Sequence, residues 1–261
     1  RPTPTLWVVA QPGNGGVIIR DGATYAEQVT VRNFTNNGSA ISIFADPATG
    51  LRPVVSPPAN STAAFVIANA SVNIQGISVV VNQNIPYGVF ASSSYVTLSS
   101  VSVSTSGGLG IYTAGVRISS RSAISYSTVT VWNAHGIWLD GSSMTVVSYS
   151  TAVSKNAGFY ALSLNGSDGN TVLRSYIANL EGHGAGLDSG ADSNTISQST
   201  LVSNGSGYNA LYLSDADSNT VTGSYIANPA GSGVGLDGTA DYNTISLSTM
   251  IGAGAGKVAV I

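Results

Sequence analysis

A repeating unit of about 24 residues is the feature that most limits how this chain can fold. The tripeptide Asn-Thr-Val/Ile recurs at intervals of 24, 25 and 24 residues, at Asn170, Asn194, Asn219 and Asn243. A longer match relates residues 175–200 to residues 224–249 at an offset of 49, with 18 of 26 positions identical. A fixed period of roughly 20 to 50 residues is typical of solenoids, in which each repeat packs against its neighbours.

Within each unit, apolar residues alternate with polar ones. One column holds apolar–x–apolar pairs, namely Val89/Ala91, Val116/Ile118, Ile137/Leu139, Leu162/Leu164, Ala185/Leu187, Leu211/Leu213 and Val234/Leu236. A second column holds a serine, then Ser, Thr or Tyr, then an apolar residue, starting at Ser99, Ser127, Ser150, Ser175, Ser199, Ser224 and Ser248. With the Asn-Thr-Val/Ile segments, each unit has three short stretches of period two, which is the period of a β-strand.

Three short strands per unit predict one turn of a solenoid for every 24 residues or so. One unit cannot bury its inward face alone, so stacked units must share a continuous core. From about Phe65 to the end, the pattern resembles the right-handed parallel β-helix repeat of the pectate-lyase-like superfamily. The resemblance implies an all-β, single-stranded right-handed parallel β-helix with three sheets and about ten turns. It also implies an asparagine ladder formed by Asn170, Asn194, Asn219 and Asn243.

The stacking of turns explains why only 8 % of the residues are charged, against about 25 % in an ordinary domain. Equivalent residues on adjacent turns lie about 4.8 Å apart, where like charges repel by about 0.9 kcal/mol even in water. Ser, Thr and Asn side chains stack without that repulsion. The net charge of −3 argues against a nucleic-acid partner, and no apolar run is long enough to span a membrane.

The chain is expected to form one domain. Residues 1–64 are predicted to be an amino-terminal cap with the first irregular turns, and residues 65–261 to be regular turns continuous with it. Val258 and Val260 fit a further strand, and no capping segment follows them. Because an open parallel edge invites pairing, we expect a fragment truncated at its carboxyl end, or self-association through that end.

Four aspartates interrupt the otherwise neutral columns, each two residues before a ladder asparagine: Asp168, Asp192, Asp217 and Asp241. Carboxylates stacked on consecutive turns favour either solvent exposure or a bound cation. Ca²⁺ prefers carboxylate, amide and carbonyl oxygens, so these aspartates are the predicted metal site and Ca²⁺ the candidate cofactor. The alternative is an Asx-turn, in which each Asp-x-Asn segment caps its own backbone in solvent.

The best candidates for ligand binding are Phe90, Arg117 and Trp138. If the apolar column faces inward, these residues face outward on three consecutive turns, about 4.8 Å apart. Aromatic rings beside an arginine suit contact with sugar rings and hydrogen bonds to their hydroxyls or carboxylates. With Asp140 they form the predicted carbohydrate-binding site. The competing interpretation is that a loop at Leu109–Gly115 covers these side chains.

Catalytic residues are not assigned. Asp140, Asp188 and Asp237 recur on alternate turns, and carboxylates about 9–10 Å apart could serve an inverting glycosidase, although catalytic sites are not normally repeated. His183 lies in a Gly-His-Gly element similar to that of polygalacturonase-type hydrolases, whose other elements are absent. Arg117 or Arg174 is the candidate base for a reaction like that of pectate lyases.

Two classes of function remain. The first is an extracellular or cell-surface, non-catalytic β-helix module, acting as a stalk, an adhesin or a carbohydrate-binding spike with a polysaccharide or cell-surface glycan as partner. The second is a lyase or glycoside hydrolase that acts on an acidic polysaccharide in a groove along the helix. Near-identical repeats and missing catalytic elements favour the first.

Overall fold

A computed structural model describes residues 15–34, 40–82, 84–105, 113–119 and 121–253. All regular structure in these ranges is β-strand, and none of it is a helix long and apolar enough to cross a membrane. Val258 and Val260, which the sequence assigns to a further strand, lie outside the described residues, as do residues 1–14.

The strands are short, and most contain three to six residues. The first fourteen are β1 (Gly16–Ile19), β2 (Thr24–Tyr25), β3 (Val29–Phe34), β4 (Ile41–Ala45), β5 (Val54–Val55), β6 (Ala63–Gln75), β7 (Ser78–Val81), β8 (Tyr87–Ser92), β9 (Tyr95–Ser99), β10 (Ser102–Thr105), β11 (Ala114–Ser119), β12 (Ala123–Ser125), β13 (Thr128–Val131) and β14 (His135–Asp140). The others are β15 (Val146–Ser148), β16 (Thr151–Ser154), β17 (Tyr160–Asn165), β18 (Thr171–Leu173), β19 (Tyr176–Asn179), β20 (His183–Asp188), β21 (Thr195–Ser197), β22 (Thr200–Ser203), β23 (Asn209–Ser214), β24 (Thr220–Thr222), β25 (Tyr225–Asn228), β26 (Ser232–Asp237), β27 (Thr244–Ser246) and β28 (Thr249–Gly252).

Every strand pairs in parallel with its equivalent one turn away, and the strands form three sheets. Sheet 1 contains β3, β6, β8, β11, β14, β17, β20, β23 and β26. Sheet 2 contains β1, β4, β6, β9, β12, β15, β18, β21, β24 and β27, and the long strand β6 joins it to sheet 1. Sheet 3 takes one strand per turn, from β2, β5, β7, β10, β13, β16, β19, β22, β25 and β28. The described chain is therefore the predicted parallel β-solenoid, with about nine full turns where the sequence led us to expect about ten.

The interior of the solenoid holds the apolar column predicted from the sequence, with the exception of Leu236, which lies on the last described strand of sheet 1 and is 46 % exposed. Seven equivalent positions on sheet 1 are at most 2 % exposed, namely Val89, Val116, Ile137, Leu162, Ala185, Leu211 and Val234. Burying a Val, Leu or Ile side chain stabilises a fold by about 1.5–3 kcal/mol. The stacked apolar rows therefore supply the main stabilisation that holds successive turns together.

Hydrogen-bonded ladders join the turns at the corners. The side-chain oxygen of Asn194 accepts hydrogen bonds from the backbone NH of Asn170 at 2.8 Å and from its side-chain amide at 2.9 Å, and Asn219 accepts in the same way from Asn194. The predicted asparagine ladder is therefore present, and its members at Asn170, Asn194 and Asn219 are 1 % exposed. A serine ladder runs beside it, in which the backbone NH of Ser175 donates to the hydroxyl of Ser199 at 3.1 Å.

The serine column departs from the sequence prediction at one turn. Thr128 pairs with Ser102, and the hydroxyl of Ser127 accepts from the backbone NH of Val101 at 3.1 Å. Val101 therefore holds the ladder position on that turn, and the assignment of Ser99 to this column is wrong by two residues. The cause is the replacement of the ladder serine by valine, which removes the marker that the sequence pattern relied on.

Candidate functional site

The outer face of sheet 1 carries the residues predicted to bind a ligand. Phe90 on β8 pairs with Arg117 on β11, which pairs with Trp138 on β14, and the inward neighbours of all three are buried. Asp140 lies two residues beyond Trp138 on the same strand. The structure thus brings the four predicted residues together on three consecutive turns, and each is half-buried.

Arg117 is the centre of this group. Its guanidinium carbon lies 4.7 Å from the ring centroid of Trp138, 5.4 Å from that of Phe90 and 5.6 Å from that of Tyr87. The same guanidinium donates to the hydroxyl of Tyr87 at 3.2 Å and forms a salt bridge with Asp140. Stacking on three rings and a carboxylate partner are the contacts that suit the planar, delocalised charge of arginine.

The charge of Arg117 is held in place. Burial is the largest single influence and opposes the charged form, but the hydrogen bonds that Arg117 donates to Asp140 and Tyr87, together with the electrostatic attraction of these two groups, outweigh it and raise the pKa of Arg117. Only about a quarter of each side chain of the pair is exposed. Arg117 therefore remains a protonated, neutralised cation, which does not suit it to abstract a proton. Arg174 is engaged elsewhere, since it donates to Gln198 at 2.6 Å and to the hydroxyl of Tyr149 at 2.7 Å on an exposed corner.

A row of rings continues from Trp138 along sheet 1. Ring centroids are 5.3 Å apart for Trp138 and His135, 5.6 Å for His135 and Tyr160, 5.1 Å for Tyr160 and His183, and 5.0 Å for His183 and Tyr212. The row spans six turns, or about 24 Å. We call this surface the aromatic platform and define it as Tyr87, Phe90, His135, Trp138, Tyr160, His183 and Tyr212.

The platform differs from the flat aromatic surface that the sequence suggested. Tyr160 and His183 lie on consecutive turns with their ring planes only 22° apart, and His183 and Tyr212 are similarly stacked at 25°. The ring faces are thus turned towards one another along the helix axis. A ligand above the platform meets ring edges and their polar tips, together with the carboxylates and amides of the adjoining column.

The outward position of His135, Tyr160 and His183 was missed by the sequence analysis. Strict alternation assigns each to the interior, because each lies two residues before an inward apolar residue. The intervening residue is instead buried and small: a Cβ added to Gly136 would lie 2.3 Å from the backbone oxygen of Ala161. Gly136 and Ile137 are thus both buried, which interrupts the alternation, and the side chain of His135 faces outward beside Trp138. The signal for these residues is a ring followed by Gly or Ala and then by an apolar residue.

Both histidines of the platform are buried enough to be neutral. Burial lowers the pKa of His135 and of His183 to about 4 in each case. Nδ1 of His135 accepts a hydrogen bond from the backbone NH of Tyr160 at 3.2 Å, and Nδ1 of His183 accepts one from Asn209 at 3.0 Å. An accepting Nδ1 leaves the proton on Nε2, which makes each imidazole a neutral donor.

A column of polar side chains runs beside the rings, with Asp140, Asn165, Asp188, Ser214 and Asp237 on successive turns. Burial raises the pKa of Asp188 to about 6, and its carboxylate has no hydrogen-bond partner within the described residues. The carboxylate of Asp237 accepts from the hydroxyl of Tyr212 at 3.0 Å. Two of the three carboxylates therefore lack a cationic partner on this part of the described chain.

Glycine makes room for the tallest rings of the platform. A Cβ added to Gly186 would lie 2.5 Å from the ring of Tyr160, so this ring leans over the next turn. Gly235 in the same column makes room for the side chain of Asn209 in the same way. The near-identical repeats at an offset of 49 residues thus alternate a turn with a bulky residue and a turn that accommodates it.

The aspartates predicted to bind metal form a ladder of their own. The backbone NH of Asp192 donates to the carboxylate of Asp168 at 2.9 Å, and Asp217 and Asp241 donate likewise to the preceding aspartate at 2.7 Å. Among the described residues, no group of three or more His, Asp or Glu side chains is arranged to hold a metal ion. The structure gives these carboxylates a backbone partner, and calcium binding stays a prediction.

Two further features bear on the site. Of the predicted covering loop, residues 109–112 lie outside the described residues, while Ala114 and Gly115 belong to β11.

A cleft of about 380 Å³ opens elsewhere, on sheet 2, and among its lining residues are Phe44, Asn73 and Gln75. Its lining contains no charged residue, whereas all the perturbed titratable groups of the described chain except Tyr25 lie on or beside the platform, so we take the platform as the candidate site.

The family to which the chain belongs follows from these features. The family of right-handed β-helix regions matches residues 62–207 and 114–260, so this protein is a member of it and its helix is right-handed. The fold is pectate-lyase-like.

Solved structures of the same fold include pectate lyase Pel9A, with a TM-score of 0.51 and 14 % identity over 91 % of this chain and 68 % of that one. The periplasmic alginate epimerase AlgG has a TM-score of 0.52 and 12 % identity over 86 % of this chain and 66 % of its own. This chain thus spans about two thirds of each, and such low identities show the fold alone. No curated protein is significantly similar in sequence.

Proposed function

We propose that this protein is an extracellular, non-catalytic β-helix module that binds a polysaccharide or cell-surface glycan along the aromatic platform. The observation that carries the proposal is the contiguous row of half-buried rings from Trp138 to Tyr212, which Phe90 and Tyr87 extend beyond Arg117 on the same face of sheet 1. Singly exposed aromatic residues are common on protein surfaces, but a contiguous, rigidly stacked row rimmed by polar groups is typical of a binding surface.

The chemistry of the platform suits a sugar chain. The Nε2 atoms of His135 and His183, the hydroxyl of Tyr160 and the carboxylate of Asp188 have no hydrogen-bond partner within the described residues. They combine donors and acceptors with apolar ring edges, which is the combination presented by a pyranose ring with its hydroxyls and C–H groups. The ladders of the solenoid hold these groups rigidly, so that little conformational entropy is lost on binding.

Location outside the cytoplasm is part of the same proposal. Polysaccharides and surface glycans are extracellular ligands, and the two structural neighbours are a pectate lyase and a periplasmic epimerase of alginate. The hydroxyl-rich, charge-poor surface supports the role of a stalk or spike exposed to solvent.

Glycoside hydrolysis is a second candidate, and Asp188 is the observation that favours it. A half-buried carboxyl beside Tyr160 and Tyr212, with a pKa of about 6, has the properties of a general acid. Lyase chemistry has less support, because neither Arg117 nor Arg174 is placed as a free base.

The proposal is tested by screening the purified protein against immobilised polysaccharides. We expect binding by the wild type, a loss of at least tenfold in affinity for Trp138→Ala, and no change for Tyr176→Ala, an exposed ring on the outer face of sheet 3. The bound polysaccharides are then incubated with the protein, and new reducing ends and the ultraviolet absorbance of unsaturated uronides are measured. New reducing ends that disappear in Asp188→Asn would instead establish the hydrolase, and failure to bind any polysaccharide would refute the binding module.

A further inference from the structure

The charges of the aromatic platform indicate which kind of polysaccharide it accepts. Resting on the proposed function, we infer that the platform selects a neutral, hydroxyl-rich polysaccharide and discriminates against polyuronates and other acidic chains. This deepens the proposed function and departs from the acidic substrate that the sequence suggested as an alternative.

Within the described part of the chain, the aromatic platform offers an acidic ligand no free cation. On strands β8 to β26 of sheet 1, Arg117 is the one Arg or Lys among the described residues. Its guanidinium is already engaged by Asp140, by the hydroxyl of Tyr87 and by three rings. Arginine recognises a carboxylate through a free, forked pair of N–H groups. In Arg117 the Nε has no hydrogen-bond partner but is buried, and Nη1 and Nη2 already donate to Tyr87 and Asp140, so no such pair is open to a ligand.

The other basic residues described near the platform add no free positive charge to it. His135 and His183 are neutral at pH 7, because burial lowers the pKa of each to about 4. Lys155, at the corner before β17, lies 4.8 Å from the ring centroid of Trp132 and not over the platform. An acidic chain on the platform would therefore meet no uncompensated positive charge from these groups.

The carboxylates beside the platform would repel an acidic ligand. Asp188 and Asp237 occupy equivalent positions two turns apart, with Ser214 between them, and neither forms a salt bridge within the described residues. At pH 7 Asp188 is expected to carry negative charge, since its pKa is raised only to about 6. A uronate carboxylate laid along this column would be repelled at two places, by the half-buried Asp188 and by the exposed Asp237.

Hydrogen bonding points the same way. A carboxylate accepts hydrogen bonds and donates none, so the unpartnered carboxylate of Asp188 needs a donor from the ligand. Sugar hydroxyls are donors, whereas the carboxylate of a uronic acid is not. Beside the half-buried Asp188, a ligand that places a hydroxyl is therefore favoured over one that places a carboxylate at the same point.

The discriminating experiment uses two forms of one polymer that differ in charge. Wild-type protein is titrated with polygalacturonate and with fully methyl-esterified polygalacturonate, and a panel of neutral and acidic polysaccharides is measured beside them at pH 7 and low salt. We expect the neutral forms to bind at least tenfold more tightly than the acidic ones. In Asp188→Asn/Asp237→Asn, whose circular dichroism confirms the fold, the discrimination should fall at least threefold.

The outcomes separate the two proposals. Tighter binding of the acidic polymers, or discrimination that is unchanged in the double variant, would overturn the inference while the binding function stands. Failure of every polymer in the panel to bind would refute the proposed function, and the inference would fall with it.

Discussion

The guanidinium of Arg117 on β11 forms a salt bridge with the carboxylate of Asp140, which lies one turn further along the solenoid on β14. The pair joins two adjacent turns on the outer face of sheet 1, and the guanidinium stacks against the rings of Phe90 and Trp138. In a chain that avoids charge, this partly buried pair fixes one end of the aromatic platform and neutralises its one arginine.

Removing either member of this pair should destabilise the fold. In Asp140→Asn the guanidinium loses its carboxylate partner, and we expect the free energy of unfolding to fall by about 1–2 kcal/mol, since the pair is only partly screened by solvent. Urea denaturation of Asp140→Asn, Arg117→Met and the double variant gives the coupling energy, expected to be about 1 kcal/mol. A coupling energy of zero would show that the salt bridge contributes nothing to stability.

Gly186 should be needed for the position of Tyr160. In Gly186→Ala the new Cβ would lie 2.5 Å from the Tyr160 ring, which can rotate away and leave the backbone intact. We expect a loss of about 1 kcal/mol in stability, an altered near-ultraviolet circular dichroism spectrum and weaker polysaccharide binding. Gly158→Ala is the matched control, because its Cβ would meet only Asn156 at an ordinary 3.5 Å. Unchanged affinity in Gly186→Ala, with the spectrum altered, would exclude Tyr160 from the binding surface.

The asparagine ladder should be a major source of stability. Asn194→Ala removes an acceptor for two groups of Asn170 and a donor to Asn219, all of them buried. Because buried polar groups are left without partners, we expect a loss of about 2–4 kcal/mol, measured by urea denaturation. The exposed Asn204 provides the control, and Asn204→Ala should change stability by less than about 0.5 kcal/mol. Equal effects of the two substitutions would contradict a structural role for the ladder.

Acid should destabilise the protein through the platform histidines. The pKa of His135 is about 4 in the folded protein, below its ordinary value of 6.5, so the unfolded chain binds more protons between these pH values. Stability from this residue is full above pH 6.5 and is lost as the pH falls towards 4, by about 3 kcal/mol. Thermal melts should show a smaller loss for His135→Gln, and an identical loss would refute this origin.

Protonation of Asp188 should stabilise the fold in acid, in contrast to protonation of His135. The pKa of Asp188 is raised from 3.8 to about 6, so the folded state binds the proton more tightly and gains stability as the pH falls from 6 to 4. In Asp188→Asn that gain is absent, and the destabilisation by acid should be steeper than in the wild type. A shallower profile in melts from pH 7 to pH 4 would contradict the raised pKa.

The sequence was sufficient for the fold and for part of the site. The repeat period and the alternation of apolar residues predicted the solenoid, the buried column that includes Val89 and Ile137, and the row of Phe90, Arg117 and Trp138. These predictions succeeded because parallel stacking repeats one register on every turn, so that any position can be projected along the helix axis.

The features of the site that the sequence did not predict depend on local backbone and side-chain geometry. His135 and Tyr160 face outward because the residue after each is small and buried and directly precedes a second buried residue, a feature that alternation alone does not encode. The stacking of rings on one another, and the acceptance by Asp168 of the backbone NH of Asp192, depend on side-chain rotamers that composition does not specify.

Isothermal titration calorimetry of Tyr212→Ala shows whether the aromatic platform is the surface that binds the polysaccharide. Tyr212 lies at the far end of the row from Phe90, and its matched control is Tyr176, which is 43 % exposed on sheet 3. With a polysaccharide that the wild type binds, the account predicts affinity at least tenfold weaker for Tyr212→Ala and unchanged for Tyr176→Ala. Equal affinities for the wild type and Tyr212→Ala, or a loss confined to Tyr176→Ala, would contradict it.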